Sequence, residues 1–137
     1  WIKNKTFPEL NKEANLFDCN FDPENIFKIL SLYLDKKGVS NYKIEEERYQ
    51  CIIRFQDGDS SPYIIIQIHN DGDNGLKVSF KNKGADDDKF RQLEQNVMKS
   101  VKQSQKIYEQ VVSIINARKL FSKKNQKSYL AYDSWLT

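Results

Sequence analysis

Two spacings of apolar residues alternate along this chain. One repeats every second residue, as on a strand, and the other every three to four, as on a helix. In "LFDCNF", 16–21, Phe17, Cys19 and Phe21 share one face and suggest a short first strand. "DPENIFKILSLYLDKKG" follows, with Ile26, Phe27, Ile29, Leu30, Tyr33 and Leu34 at helical spacing. Asp22 suits the N-cap and Pro23 the first helical position. Lys36 and Lys37 complement the dipole of the last turn and Gly38 stops it, so the pattern predicts a helix over 23–36.

Period-two runs come next. Cys51, Ile53 and Phe55 alternate with Ile52 and Arg54 in 49–57. In 63–70, Ile64, Ile66 and Ile68 face in while Ile65, Gln67 and His69 face out. In "LKVSFKNKG", 76–84, Leu76, Val78 and Phe80 alternate with Lys77, Ser79 and Lys81. "DGDSSP" and "DGDNG" between these runs are turns by composition, which predicts an antiparallel meander. "YKIEEERY", 42–49, is read as an added edge strand, with its acids Glu45–Glu47 in solvent. The outer face of the last strand is expected to be solvated and basic.

A second helix is expected from Asp86–Asp88, three acids favourable at an N-terminus. Phe90, Leu93, Val97, Met98 and Val101 form its stripe. The pattern thins over 102–106 and resumes with Tyr108, Val111, Val112 and Ile115, so the sequence allows one long helix or two broken near 103. Residues 1–15, broken by Pro8, read as a lead-in. Residues 16–102 read as the core and 103–137 as a basic helical extension. The expected class is α+β, with a small antiparallel sheet of about four strands and two main helices.

The length suits one domain, and 39% hydrophobic with 30% charged residues is a globular composition. No apolar run approaches the roughly 18 residues of a membrane span. The chain begins at Trp1 without a signal-peptide pattern, and is read as a piece of a larger protein or a processed chain. Cys19 and Cys51 are expected to be reduced core thiols of an intracellular protein.

The net charge of +3 is unevenly spread. Residues 1–88 hold 12 Lys/Arg against 16 Asp/Glu, whereas residues 89–127 hold 10 against 2. The C-terminal region is therefore suited to anions.

No catalytic constellation is visible. His69 is the one histidine, and no G-x-S-x-G surrounds it. The Cys/His inventory is too small for a zinc finger. "DGDSS" and "DGDNG" lack the full order of a calcium loop, and no phosphate-binding glycine motif occurs. A non-enzyme without metal or cofactor is the expectation. The informative feature is basic: Lys77, Lys81 and Lys83 on the last strand, then Lys89, Arg91, Lys99, Lys102 and Lys106 on the second helix. Arg118, Lys119, Lys123, Lys124 and Lys127 follow.

The stretch "FDPENIFKILSLYLDKKGVSNYKIEEERYQCIIRFQDGD", then a second apolar strand, "LKVSFKNKG" and a helix opened by "KFRQL", resembles the kinase-associated domain 1. That module lies at the C-terminus of microtubule-affinity-regulating kinases and of yeast septin-associated bud-neck kinases. The likeness covers roughly residues 16–102 and rests on order and spacing; the extension past 103 points to the bud-neck branch. It implies a small antiparallel sheet with two helices on one face, at the end of a Ser/Thr protein kinase. It also implies binding to anionic phospholipids, notably phosphatidylserine, at the inner face of the plasma membrane or the bud neck. Carried over by position, its lipid contacts fall on Lys28, Lys81 and Lys83. Two positions depart from the pattern: Ser31 and Asn82 stand where relatives are basic.

Three functions compete. In the first, Lys28, Lys77, Lys81, Lys83, Lys89, Arg91, Lys99, Lys102, Lys119, Lys123 and Lys124 meet an anionic membrane. A basic residue near an anionic leaflet contributes on the order of 1 kcal/mol, so five or six give micromolar-type binding. In the second, the same face docks on the parent kinase domain, holding it inactive, or on an acidic septin surface. The third, nucleic-acid binding, has no recognition motif behind it.

Overall fold

The computed structural model describes residues 6–10, 14–55 and 61–124, with side chains to residue 120. The chain divides into two compact units, residues 1–102 and 103–137. The first holds a five-stranded antiparallel sheet: β1 (Asn15–Cys19), β2 (Tyr42–Glu45), β3 (Gln50–Arg54), β4 (Tyr63–Asn70) and β5 (Leu76–Lys83). Helix α1 (Pro23–Lys36) joins β1 to β2, and α2 (Asp87–Lys124) follows β5. The strand order is β1-β5-β4-β3-β2, so β2 to β5 form the expected meander. The strand count exceeds the expected four because both uncertain segments, 16–21 and 42–49, contribute strands.

One face of the sheet is the core. Cys51, Ile66 and Phe80 lie in register across β3, β4 and β5, and Ile68 stands beside Val78. These residues pack in one cluster with Ile26, Phe27, Leu30 and Leu34 of α1 and with Phe90, Leu93, Val97, Met98 and Val101 of α2. Both helices therefore cover the same face, and Asn96 Nδ2 donates to Tyr33 Oη at 3.2 Å between them. Truncating a fully buried member such as Leu30 to Ala is worth about 2–5 kcal/mol.

The boundaries of α1 follow from its ends. Asp22 Oδ1 accepts from the Glu24 N–H at 3.1 Å, and Pro23 opens the helix. At the other end Gly38 adopts φ +75, its N–H reaches Asp35 O, and the Val39 N–H reaches Leu34 O at 2.9 Å. This is a Schellman-type stop, which a left-handed glycine makes inexpensive. At the start of α2, Asp86 Oδ2 accepts from the Lys89 N–H, and Asn82 clamps the preceding loop through Ala85 N and O, both at 2.8 Å.

Of the two arrangements the sequence allows, α2 is one long helix. Other expectations change. The acids Glu46 and Glu47 belong to a short 3-10 helix, Glu46–Arg48, and not to a continued strand, because Tyr49 turns left-handed at φ 50. Phe55 lies past the end of β3 and is exposed, unlike Cys51 and Ile53. The turn at 57–60 lies outside the described residues.

The outer face of β5 is also less open than its alternation suggests. Ser79, between Lys77 and Lys81, is 2% exposed, and His69 beside it is fully buried. His69 Nδ1 lies 2.8 Å from Pro8 O and Nε2 lies 2.7 Å from Ser79 Oγ. A carbonyl only accepts, so Nδ1 carries a proton to Pro8; in the neutral ring Nε2 then accepts from the Ser79 hydroxyl. Part of the lead-in thus lies across the sheet at this point, and Phe7 stacks on Tyr49 with ring centroids 3.9 Å apart.

Candidate functional site

The basic residues do not form one surface of equal standing. Lys77 is paired with Asp18 of β1, directly opposite it in register, and its side chain is 20% exposed. Its charge is therefore largely compensated. Lys81 is half-buried and Lys83 is exposed. Asn82 is held by the turn into α2, so its amide is spent on Ala85. Lys28 lies on the exposed side of α1, 3.7 Å from Glu24 Oε1, beside Glu46 and Glu47. Like-charged neighbours are what an anionic surface avoids, and Lys28 sits among carboxylates.

α2 presents the clearer arrangement. Arg91, Lys99 and Lys102 are exposed, as is Gln95 among them. Their spacing, i, i+4, i+8 and i+11, aligns them in one row about 16 Å long at the helical rise. The row lies on the solvent side of a helix whose Phe90, Leu93, Val97 and Val101 are buried. Glu94, the acid inside this stretch, is buried and accepts from Asn15 Nδ2 at 2.8 Å. Among the described residues, Arg91, Lys99 and Lys102 form no ion pair. Lys89 is exposed in the first turn.

In the second unit α2 carries a different surface. Ile107, Tyr108, Val111, Ile114 and Ile115 follow at i, i+1, i+4, i+7 and i+8, and all are exposed. Lys106, Arg118 and Lys119 border them and are exposed too. The side chains of Lys123 and Lys124 lie outside the described residues. An amphipathic helix with an exposed apolar face and basic flanks suits the plane of a membrane interface. Periodicity alone marks Tyr108, Val111 and Ile115 as a stripe, and a stripe ordinarily signals core. Ile107 and Ile114 completed the signal in the sequence, but only the structure shows these side chains exposed.

The thiols offer no chemistry. Both are buried; burial pushes Cys51 up to about 12 and raises Cys19 as well, although a bond from the Phe21 N–H and the charge of Lys102 oppose the shift at Cys19. Among the described residues no cluster of His, Cys, Asp or Glu has the makings of a metal site. Among the same residues no helix is long and apolar enough to cross a membrane. Compared with known proteins, the chain matches no family model and no curated protein.

Proposed function

We propose that this protein is a non-catalytic module that binds anionic phospholipid membranes, of the phosphatidylserine type, through α2. The observation that carries the reading is the row Arg91, Lys99 and Lys102, exposed and without an ion pair among the described residues. Lys83 and Lys89 supplement the charge, whereas Lys28 and Lys77 contribute less because carboxylates accompany them. At about 1 kcal/mol per engaged cation, the row and its supplements give an affinity of roughly tens to hundreds of micromolar without a shaped headgroup pocket.

The kinase-associated domain 1 resemblance extends the proposal. It makes the chain a membrane address at the C-terminus of a Ser/Thr protein kinase, acting peripherally at the inner face of the plasma membrane or the bud neck. The α+β arrangement of an antiparallel sheet with two helices on one face is compatible with that class. Co-sedimentation with phosphatidylserine-containing vesicles, against pure phosphatidylcholine at near-physiological salt, tests the reading. Selective pelleting is expected. Equal pelleting with both vesicles, or none with either, overturns it.

A further inference from the structure

An open groove of about 1020 Å³ runs between α1 and the ridge formed by β2 and the 3-10 helix. Its apolar lining is Phe7, Phe27, Leu32, Ile44 and Tyr49. Leu32 is 71% exposed, an unusual position for a leucine on a helix that otherwise buries its apolar face. Four carboxylates also line the groove: Asp22, Glu24, Glu46 and Glu47. The lone cation among the described lining residues, Lys28, is already paired with Glu24.

The α1 wall consists of Pro23, Glu24, Phe27, Lys28, Ser31 and Leu32. These span roughly 14 Å along the helix, the length of two to three turns. The α1 wall offers side chains and no free backbone groups, so an occupant lying along it is best one whose own backbone is satisfied, although β2 on the other side is an edge strand. Apolar floor and acidic rim together select an amphipathic helix with apolar anchors on one face and Lys or Arg beside them. The acidic rim also repels an anionic leaflet, which separates this surface from the basic side of α2.

We infer that this groove is a docking site for a cationic amphipathic helix of a partner protein. The inference goes beyond membrane binding and uses none of its residues except Lys28. The module then carries two surfaces of opposite charge, one toward lipid and one toward a basic partner segment. Glu46 and Glu47, exposed on the ridge, set the charge preference. Leu32 and Tyr49 supply apolar contact at the open and stacked ends of the groove.

The test uses the whole chain and a labelled helical peptide of about 18 residues, with Leu at i, i+3, i+4 and i+7 and Lys elsewhere. A twin peptide carries Glu in place of Lys. Fluorescence anisotropy is expected to show the Lys peptide binding at least about tenfold tighter than its twin. Glu46→Lys with Glu47→Lys is expected to weaken it about tenfold, and Leu32→Ser, which removes apolar contact without adding charge, to weaken it as well, while pelleting with phosphatidylserine vesicles is retained. Because variants can lose the fold, amide shifts of the unaltered chain on adding the Lys peptide are read in parallel; they are expected at Leu32, Ile44, Glu46 and Tyr49. Equal affinity for both peptides, undiminished binding by both variants, or shifts confined to other surfaces would each overturn the inference.

Discussion

Asp18 and Lys77 stand opposite each other on neighbouring strands, and their side chains close an ion pair across the β1–β5 ladder. The lysine that opens the basic run of β5 therefore answers a carboxylate of its own sheet. Lys77→Glu places two carboxylates face to face, which is expected to lower stability by on the order of 1 kcal/mol. Lys77→Ala is expected to cost less, since Asp18 is 84% exposed, and to change vesicle affinity no more than about twofold. Urea unfolding and vesicle sedimentation on both variants check this; a large binding loss in a stable Lys77→Ala protein would return β5 to the contact surface.

The row on α2 should behave differently. Arg91→Gln, Lys99→Gln and Lys102→Gln together are expected to weaken binding to phosphatidylserine vesicles about 100-fold, as three contributions of about 1 kcal/mol imply. Thermal unfolding should hardly change, because surface charges without partners add little to stability. Binding of the parent should also fall as salt rises from about 0.05 to 0.3 M. Retained affinity in the triple variant would remove the row from the interface.

His69 holds the lead-in to the sheet. His69→Leu leaves the buried Ser79 hydroxyl without its ring partner and the Pro8 carbonyl without its donor. A loss of about 2–3 kcal/mol is expected by chemical denaturation, with faster proteolysis within residues 6–10. Ser79→Ala removes one partner of the pair and should cost less. Unchanged proteolysis in a destabilised His69→Leu protein would mean that other contacts hold the segment.

Gly38 isolates a backbone effect. A Cβ there meets nothing within 4 Å, so Gly38→Ala carries only the strain of φ +75. A loss of about 1 kcal/mol is expected, and less for Gly38→Asn, which tolerates the left-handed region better. Denaturant midpoints of the two variants give the order directly.

Cys51 links stability to alkaline pH. Burial raises its folded pKa to about 12 from an ordinary value of 9.0, so the folded state holds the proton more tightly than the unfolded one. Its stabilising contribution is complete below pH about 9 and is lost as pH climbs toward 12, with a limiting slope near 1.4 kcal/mol per unit. The melting temperature should therefore fall more steeply between pH 9 and 10.5 in the parent than in Cys51→Ala. In the same window the native thiol should resist a disulfide reagent until the protein unfolds.

Short-range order decided most of what the sequence determined alone. The capped helix 23–36, the strand at 63–70 and the meander follow from periodicity, a proline, an aspartate and turn residues, all acting within a few positions. The excess of cations after residue 88 was equally legible. What the tertiary structure decided depends on residues far apart in the chain. β1 pairs with β5; Pro8 covers His69 from 61 positions away; Asn15 reaches Glu94 across 79. Those contacts compensate Lys77, bury Ser79 and turn Glu94, the acid within the α2 row, inward. The same assembly of α1, β2 and the lead-in brings Phe7, Leu32 and Glu47 to one groove. Alternation fixes which face a side chain takes, but whether that face meets water depends on what else the chain lays across it.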